Sequence, residues 1–329
     1  MTRAVFGRTP DGRTVERIGI TGGGLTASFL TWGATLQDLR IEGVTFPLVL
    51  GSDRFDPYLG SLLYSGALVG RFANRIAGGR FSIDGQSFQA DRNFLRRHTL
   101  HGGSGGTGEM LWSLQDHAAD RVSFALELPD KHMGFPGDLA VQAEFSLPGD
   151  GVLAMEVVAQ CNRSTPCNFA QHSYFNLDDA AGIAGHHLQI LGDSYLPVDE
   201  EMIPTGEIAP VEGTRFDFRR SRAIGNTGYD HNFCTARDRM PIRPVAVLSS
   251  PASGISLTVE STEPGLQFYD GALLDVRDGL NGRSYGTKSG VALEAQAWPD
   301  APNMAAAPNA ILRPSETYSQ SLRYVFRQE

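Results

Sequence analysis

Glu294 lies in Val291-Ala292-Leu293-Glu294-Ala295-Gln296, an otherwise apolar run. In an extended strand Val291, Leu293 and Ala295 share one face, and Glu294 and Gln296 share the other. Burying a carboxylate there is costly unless it is paired or useful, and burial raises its pKa toward values suited to proton transfer. The plainer use of such a residue is a salt-bridged surface position. In Gln171-His172-Ser173-Tyr174-Phe175-Asn176-Leu177, the same parity puts His172, Tyr174 and Asn176 together and turns Ser173, Phe175 and Leu177 away. Three hydrogen-bonding groups on one face suit a proton-transfer or binding surface, or else the solvated side of an edge strand. Arg71, Asn74 and Arg75 fall in Gly70-Arg71-Phe72-Ala73-Asn74-Arg75-Ile76. Their forked donors suit vicinal hydroxyl groups, or equally the carbonyls of neighbouring loops. His101 precedes Gly102-Gly103, where the backbone can approach a ligand closely. Asp230 sits between Tyr229 and His231, where turn capping is the plainer use. His98 and His101 have no carboxylate or thiolate at metal-ligand spacing, so no metal is expected. No Gly-Xaa-Gly-Xaa-Xaa-Gly opens a helix after a buried strand, and no Gly-Xaa-Ser-Xaa-Gly elbow appears.

The elements that must hold these residues are strands. The chain has 38 glycines and 18 prolines among 329 residues, a density that favours many turns over long helices. Leu139, Val141, Ala143, Phe145 and Leu147 alternate with mostly polar or small residues. After Pro148-Gly149-Asp150-Gly151, so do Leu153, Met155, Val157, Ala159 and Cys161, predicting a hairpin with one buried face. Phe81 and Ile83 lead into Asp84-Gly85 with Phe88 beyond, predicting a second hairpin. Val245 and Val247, followed by Ile255, Leu257 and Val259, predict a third. No long segment has a 3.6-residue period. No repeat or low-complexity linker divides the chain, and Gly102-Gly103-Ser104-Gly105-Gly106 is expected to be a functional loop. One domain over 1–329 is expected.

Composition narrows the partners. The net charge of −9 opposes binding to nucleic acid or an anionic membrane, but not to a neutral small molecule. Cys161, Cys167 and Cys234 give no disulfide framework. The N-terminal residues lack the apolar core of a signal peptide, and no run of apolar residues is long enough to span a bilayer. A cytoplasmic location is expected. Oligomeric state is not legible.

Taken in order, the five segments Gly70–Ile76, Leu100–Gly103, Gln171–Leu177, Gly228–Phe233 and Leu293–Gln296 resemble those of the aldose 1-epimerase (mutarotase) family. So do Trp32-Gly33-Ala34-Thr35, Gly134-Phe135-Pro136-Gly137, Ile203-Pro204-Thr205-Gly206, Phe216-Asp217-Phe218, Gln267-Phe268-Tyr269 and Trp298–Asn303. Each is weak alone; the ordered set is specific and covers nearly the whole chain. The resemblance implies an all-β fold, a large antiparallel β-sandwich with few short helices and a cleft on one sheet. It implies isomerase activity that interconverts the α and β anomers of a free aldohexose such as galactose or glucose, without cofactor or metal. By similarity His172 matches the general acid and Glu294 the general base. Asn74, Arg75, His101, Tyr174, Asp230 and Gln267 match sugar-holding positions, and Arg71 is a less certain member of that shell. The sequence departs from the family pattern at Gln171 (commonly Asn), Ala295 (usually Thr), Arg215 (often Pro), the Gly/Ser-rich loop after His101, and Met304–Ala307. The last two bear on sugar preference. Three alternatives stay open: a non-catalytic sugar-binding module, a glycoside hydrolase using Glu294 and Asp230 as its carboxylates, and a hexose-phosphate epimerase in which Arg71 and Arg75 meet a phosphate.

Overall fold

The computed structural model describes residues 2–328. Alternation of apolar and polar residues dominates the sequence, and strands dominate the structure. The longest helical element among the described residues is the four-residue turn Asp56–Leu59. Three sheets build the sandwich. A four-stranded meander runs Thr2–Arg8, Thr14–Gly22, Leu25–Leu30 and Thr35–Ile41. A nine-stranded sheet forms the back, with Leu139–Gly149, Val152–Cys161, Tyr318–Gln328, Ile255–Ser261 and Arg243–Ser250 adjacent at its centre. A six-stranded sheet carries Tyr174–Phe175, Val291–Gln296, Gly265–Tyr269 and Asp230–Cys234 side by side. Strand pairs in all three are antiparallel. One core joins the three sheets, with Ile18 and Phe29, Val157 and Leu257, and Phe268 and Leu293 in the same apolar cluster.

The predicted hairpins are present. Leu139–Gly149 pairs with Val152–Cys161, and the residues facing the core are the alternating apolar ones. Arg80–Ile83 pairs with Gln86–Gln89 through Asp84 and Gly85, both at positive φ, as a tight hairpin turn requires. The third hairpin differs in register. A bulge between Pro244 and Ala246 resets the parity of the strand. Val245 and Ala246 are both buried, and Val247 turns partly outward. Gln171–Leu177 is not one continuous strand either: Ala170–Gln171 and Tyr174–Phe175 pair with different partners.

The glycine-rich loop after His101 has a packing role rather than a ligand-facing one. Gly102 has φ +86°, and a Cβ there would lie 2.0 Å from the carbonyl oxygen of Gly70. Gly12 has the same φ but nothing within 4 Å of its Cβ position. Replacing each by Ala therefore separates dihedral strain from close approach. Gly102→Ala is expected to lower the unfolding free energy well beyond the roughly 1 kcal/mol of Gly12→Ala in denaturant titrations. Equal losses would show that the contact with Gly70 is slack.

Candidate active site

The six-stranded sheet aims its polar face into a cavity of about 260 Å³. Parity accounts for this directly. Val291, Leu293 and Ala295 enter the core, and Glu294 stands on the other face at 2% exposure. Gln267 is opposite Glu294 on the neighbouring strand, and Asn232 is opposite Gln267 on the next. His172 comes from the break between two short strands. Its backbone N–H donates to the Ala67 carbonyl, and Gln171 braces it from both sides. The Gln171 amide donates to the Gly66 carbonyl and accepts from the Ser173 N–H. The Gln that departs from the family pattern therefore holds the His172 backbone.

His172 Nε2 lies 3.6 Å from Glu294 Oε1, and both side chains are almost fully buried. Glu294 Oε2 and His172 Nδ1 have no protein partner. Burial, reinforced by the charge of Asp230 and opposed by Arg75, pushes the Glu294 carboxyl up to about 8. Burial, despite a backbone hydrogen bond and Asp230, pulls the His172 imidazole down to about 4. Both shifts favour the uncharged forms, as desolvation dictates. Between those limits the pair holds one proton.

His101 closes another wall. Its Nδ1 accepts from the Asn74 N–H at 3.1 Å, so Nε2 carries the proton and is a donor. Its ring packs edge-on to His172 and to Tyr64. Burial first, then His172 and Arg75, hold it neutral. Donor atoms of His101, His172 and Glu294 fall within 4.8 Å of one another. A metal would need the Nε2 lone pair that this tautomer lacks, so the trio suits hydroxyl groups better than a cation. His98 is occupied elsewhere, accepting from the Gly78 N–H and facing Glu201. Asn74, His101 and Tyr64 all have positive φ, and such strained conformations persist only where the surroundings enforce them.

Arg75 and Asp230 form an ion pair at 3.0 Å on the cavity wall. Asn74 Oδ1 accepts from the Arg75 N–H, and the Arg75 guanidinium lies over the Phe94 ring. The cavity thus gathers Asn74, Arg75, His101, His172, Tyr174, Asp230 and Glu294, all expected from the sequence. Two expected members stand apart. Arg71 donates to the Pro136 and Gly137 carbonyls and to Thr165. Its guanidinium thus ties loops together and does not line the cavity. Gln267 lies behind Asp230 and donates its amide to Oδ1 of that carboxylate. Asn176, placed by parity beside His172, is turned away by the strand break and bonds the Ala180 and Ser289 carbonyls. Tyr64, Phe94, Tyr269 and Leu273 also line the cavity. Only Tyr269 had a signal in the sequence, its parity with Gln267. Neither the 102–106 loop nor Met304–Ala307 reaches the cavity.

The sequence and fold have known counterparts. The family model for aldose 1-epimerase matches residues 16–325. The chain is 40% identical to the galactose mutarotase of Mus musculus, over 99% of this chain and 98% of that one. It is 33% identical to the aldose 1-epimerase of Escherichia coli (strain K12), over 97% of each. A crystal structure of the GalM/aldose epimerase homologue from C. elegans superposes with a TM-score of 0.89 at 30% identity, covering 95% of this chain and 98% of that one. A cavity built on one sheet of an antiparallel sandwich, with the residues that line it drawn from all five matching segments, thus sits in a chain that belongs to the aldose 1-epimerase family.

Proposed function

We propose that this cavity binds a free aldohexose and interconverts its α and β anomers, with Glu294 and His172 as the acid–base pair and the chain acting as one domain. The observation that carries the reading is the 3.6 Å separation of two buried titratable groups, Glu294 and His172. A cyclic aldose is a hemiacetal, and its two reacting oxygens are both bonded to C1. A base takes the proton of the C1 hydroxyl while an acid protonates the ring oxygen, and the ring opens to an aldehyde. Rotation about C1–C2 turns the other carbonyl face, and reclosure reverses both transfers. Two oxygens on one carbon need two proton-handling groups close together. The pair is too close to hold a ring between its members. The ring instead lies over the pair, with one oxygen toward each group.

The proton count fits a reversible reaction. The loaded state, carboxylate with imidazolium, and the state after ring opening, carboxylic acid with neutral imidazole, hold the same single proton. The empty cavity favours the second. Donors from His101, Asn74 and Arg75 then serve the sugar hydroxyls, and the outer lone pairs of Asp230 accept from them. Arg75 is spoken for by Asp230 and Arg71 by loop carbonyls, which leaves no free cation for a sugar phosphate among the described residues that line the cavity. Asp230, tied by Arg75 and Gln267, is a poor second carboxylate for glycoside hydrolysis. Among the described residues no helix is long and apolar enough to cross a membrane.

Polarimetry of a fresh α-sugar, corrected for spontaneous mutarotation, tests the roles. Glu294→Gln and His172→Asn are each expected to cut kcat by about 10²–10⁴, with sugar binding kept within about tenfold. Near-wild-type turnover by Glu294→Gln would remove it as the base. Replacing Arg75 or Asp230 by Ala is expected to raise KM, because the partner group is left unpaired and the hydroxyl grip is lost. Wild-type kinetics in both would mean the sugar sits elsewhere.

The pH dependence follows from the same pair. Activity requires one proton on it. A second proton adds as pH falls through about 4, and the last is lost as pH rises through about 8. A plot of kcat/KM against pH is therefore expected to be flat between these limits and to fall on both sides. A basic limb near the ordinary glutamate range would contradict the burial of Glu294.

A further inference from the structure

A second polar layer lies behind the sugar cavity. Asn232, Gln267 and Glu294 are directly opposed on three adjacent strands, so their side chains stand in a row on one face of the sheet. Of the three, only Glu294 lines the sugar cavity. Gln267 gives its amide N–H to Asp230 Oδ1, and its own Oε1 meets no protein donor. Asn232 is 1% exposed, and neither its Nδ2 nor its Oδ1 has a protein partner. The sheet makes room for this amide through a glycine: a Cβ at Gly265 would lie 2.6 Å from Asn232 Oδ1.

These groups face a small cavity of their own. Arg75, Asp230, Asn232 and Gln267 line it, with Leu196 and Pro299 among its apolar walls. It offers about 10 Å³ to the centre of a water-sized sphere, room for about one water. Arg75 Nε, on the same wall residue, also lacks a protein partner. Buried polar atoms of this kind are nearly always satisfied, by protein or by ordered water.

We propose that Asn232, together with a single water bound in this cavity, is a positioning residue that backs Gln267, Asp230 and Arg75. The inference rests on the mutarotase reading of the sugar cavity. A glutamine side chain can present either its oxygen or its nitrogen to Asp230, and only the nitrogen stabilises a carboxylate. A donor at the other end of Gln267 selects that orientation. Asn232 and the water each supply a donor and an acceptor, which an apolar side chain cannot. With Gln267 so fixed, Asp230 Oδ1 is held by Gln267 and Oδ2 by Arg75. The carboxylate then cannot rotate away from the sugar. Asn232 itself touches no substrate.

Two measurements on the full chain test this. A sugar-free crystal structure that resolves waters is expected to show one ordered water at about 2.7–3.2 Å from both Asn232 and Gln267. A dry cavity overturns the proposal. In mutarotation kinetics, Asn232→Leu is expected to raise KM by about three- to tenfold, the worth of one lost hydrogen bond, while its melting temperature stays at or above wild type. Asn232→Ser, whose hydroxyl and an extra water can restore both roles, is expected to stay within about threefold of wild type. An unchanged KM in Asn232→Leu overturns the positioning role, and so does a KM in Asn232→Ser as high as in a folded Asn232→Leu. If Asn232→Leu does not fold, the water and Asn232→Ser decide. A wild-type chain without mutarotase activity would sink the functional reading, whereas an active wild type with a dry cavity sinks only this one.

Discussion

Glu294 is a carboxyl group on an interior strand of a sheet, 2% exposed, with a neutral imidazole at 3.6 Å and, among the described residues, no Arg or Lys bonded to it. A carboxylate in that place is strongly disfavoured. The sheet tolerates the group by leaving it protonated, and the same desolvation that raises Glu294 depresses His172. Everything else about the cavity follows from keeping these two groups dry and close. Core side chains Leu293 and Ala295 anchor the strand on its other face. Tyr174 and Tyr64 cover the imidazole with aromatic surface. Arg75, the one cation among the described residues lining the cavity, is drawn off by Asp230, so it does not collapse onto Glu294 and fix it as a carboxylate.

A second constraint is the mutual lock of Asn74 and His101. The Asn74 N–H fixes the imidazole tautomer, and the His101 N–H donates to the Asn74 carbonyl. Both residues sit at positive φ, a conformation that costs on the order of 1–3 kcal/mol each. The glycine contacts around Gly70, Gly102 and Gly106 supply the tight packing that holds them there. Strain and close approach thus converge on the His101 imidazole, which lines the cavity. The site is stiff on this side, as preorganised hydrogen-bond donors need to be.

Much of this was legible from the residues. The alternation of Leu139–Leu147 and Leu153–Cys161 marked the central hairpin, and the parity of Val291–Gln296 put Glu294 on the face opposite the core. Parity failed where the backbone broke its period. The bulge at Pro244/Ala246 buried two successive residues. The break after Gln171 brought His172 to the cavity and sent Asn176 away. Residue type alone did not separate Arg71 from Arg75, because a guanidinium serves a loop carbonyl as readily as a hydroxyl. Only the fold decides which carbonyls are near. Tyr64 and Phe94 lay outside the five segments, and reach the cavity from the loops around them. Gln267, expected from the resemblance to hold the sugar, lies outside the cavity lining and donates to Asp230 instead, a placement set by the register of its strand.

The central claim is that Glu294 and His172 hold one proton between them, resting on the carboxyl in the empty cavity. The most direct measurement is a carbon-13 NMR titration of the glutamate side-chain carboxyls in the sugar-free protein, with the Glu294 resonance assigned by its loss in Glu294→Gln. The Glu294 resonance is expected to stay in the protonated position through neutral pH and to move only as pH approaches about 8. A Glu294 carboxyl that ionises near its unperturbed value of 4.5 would contradict it.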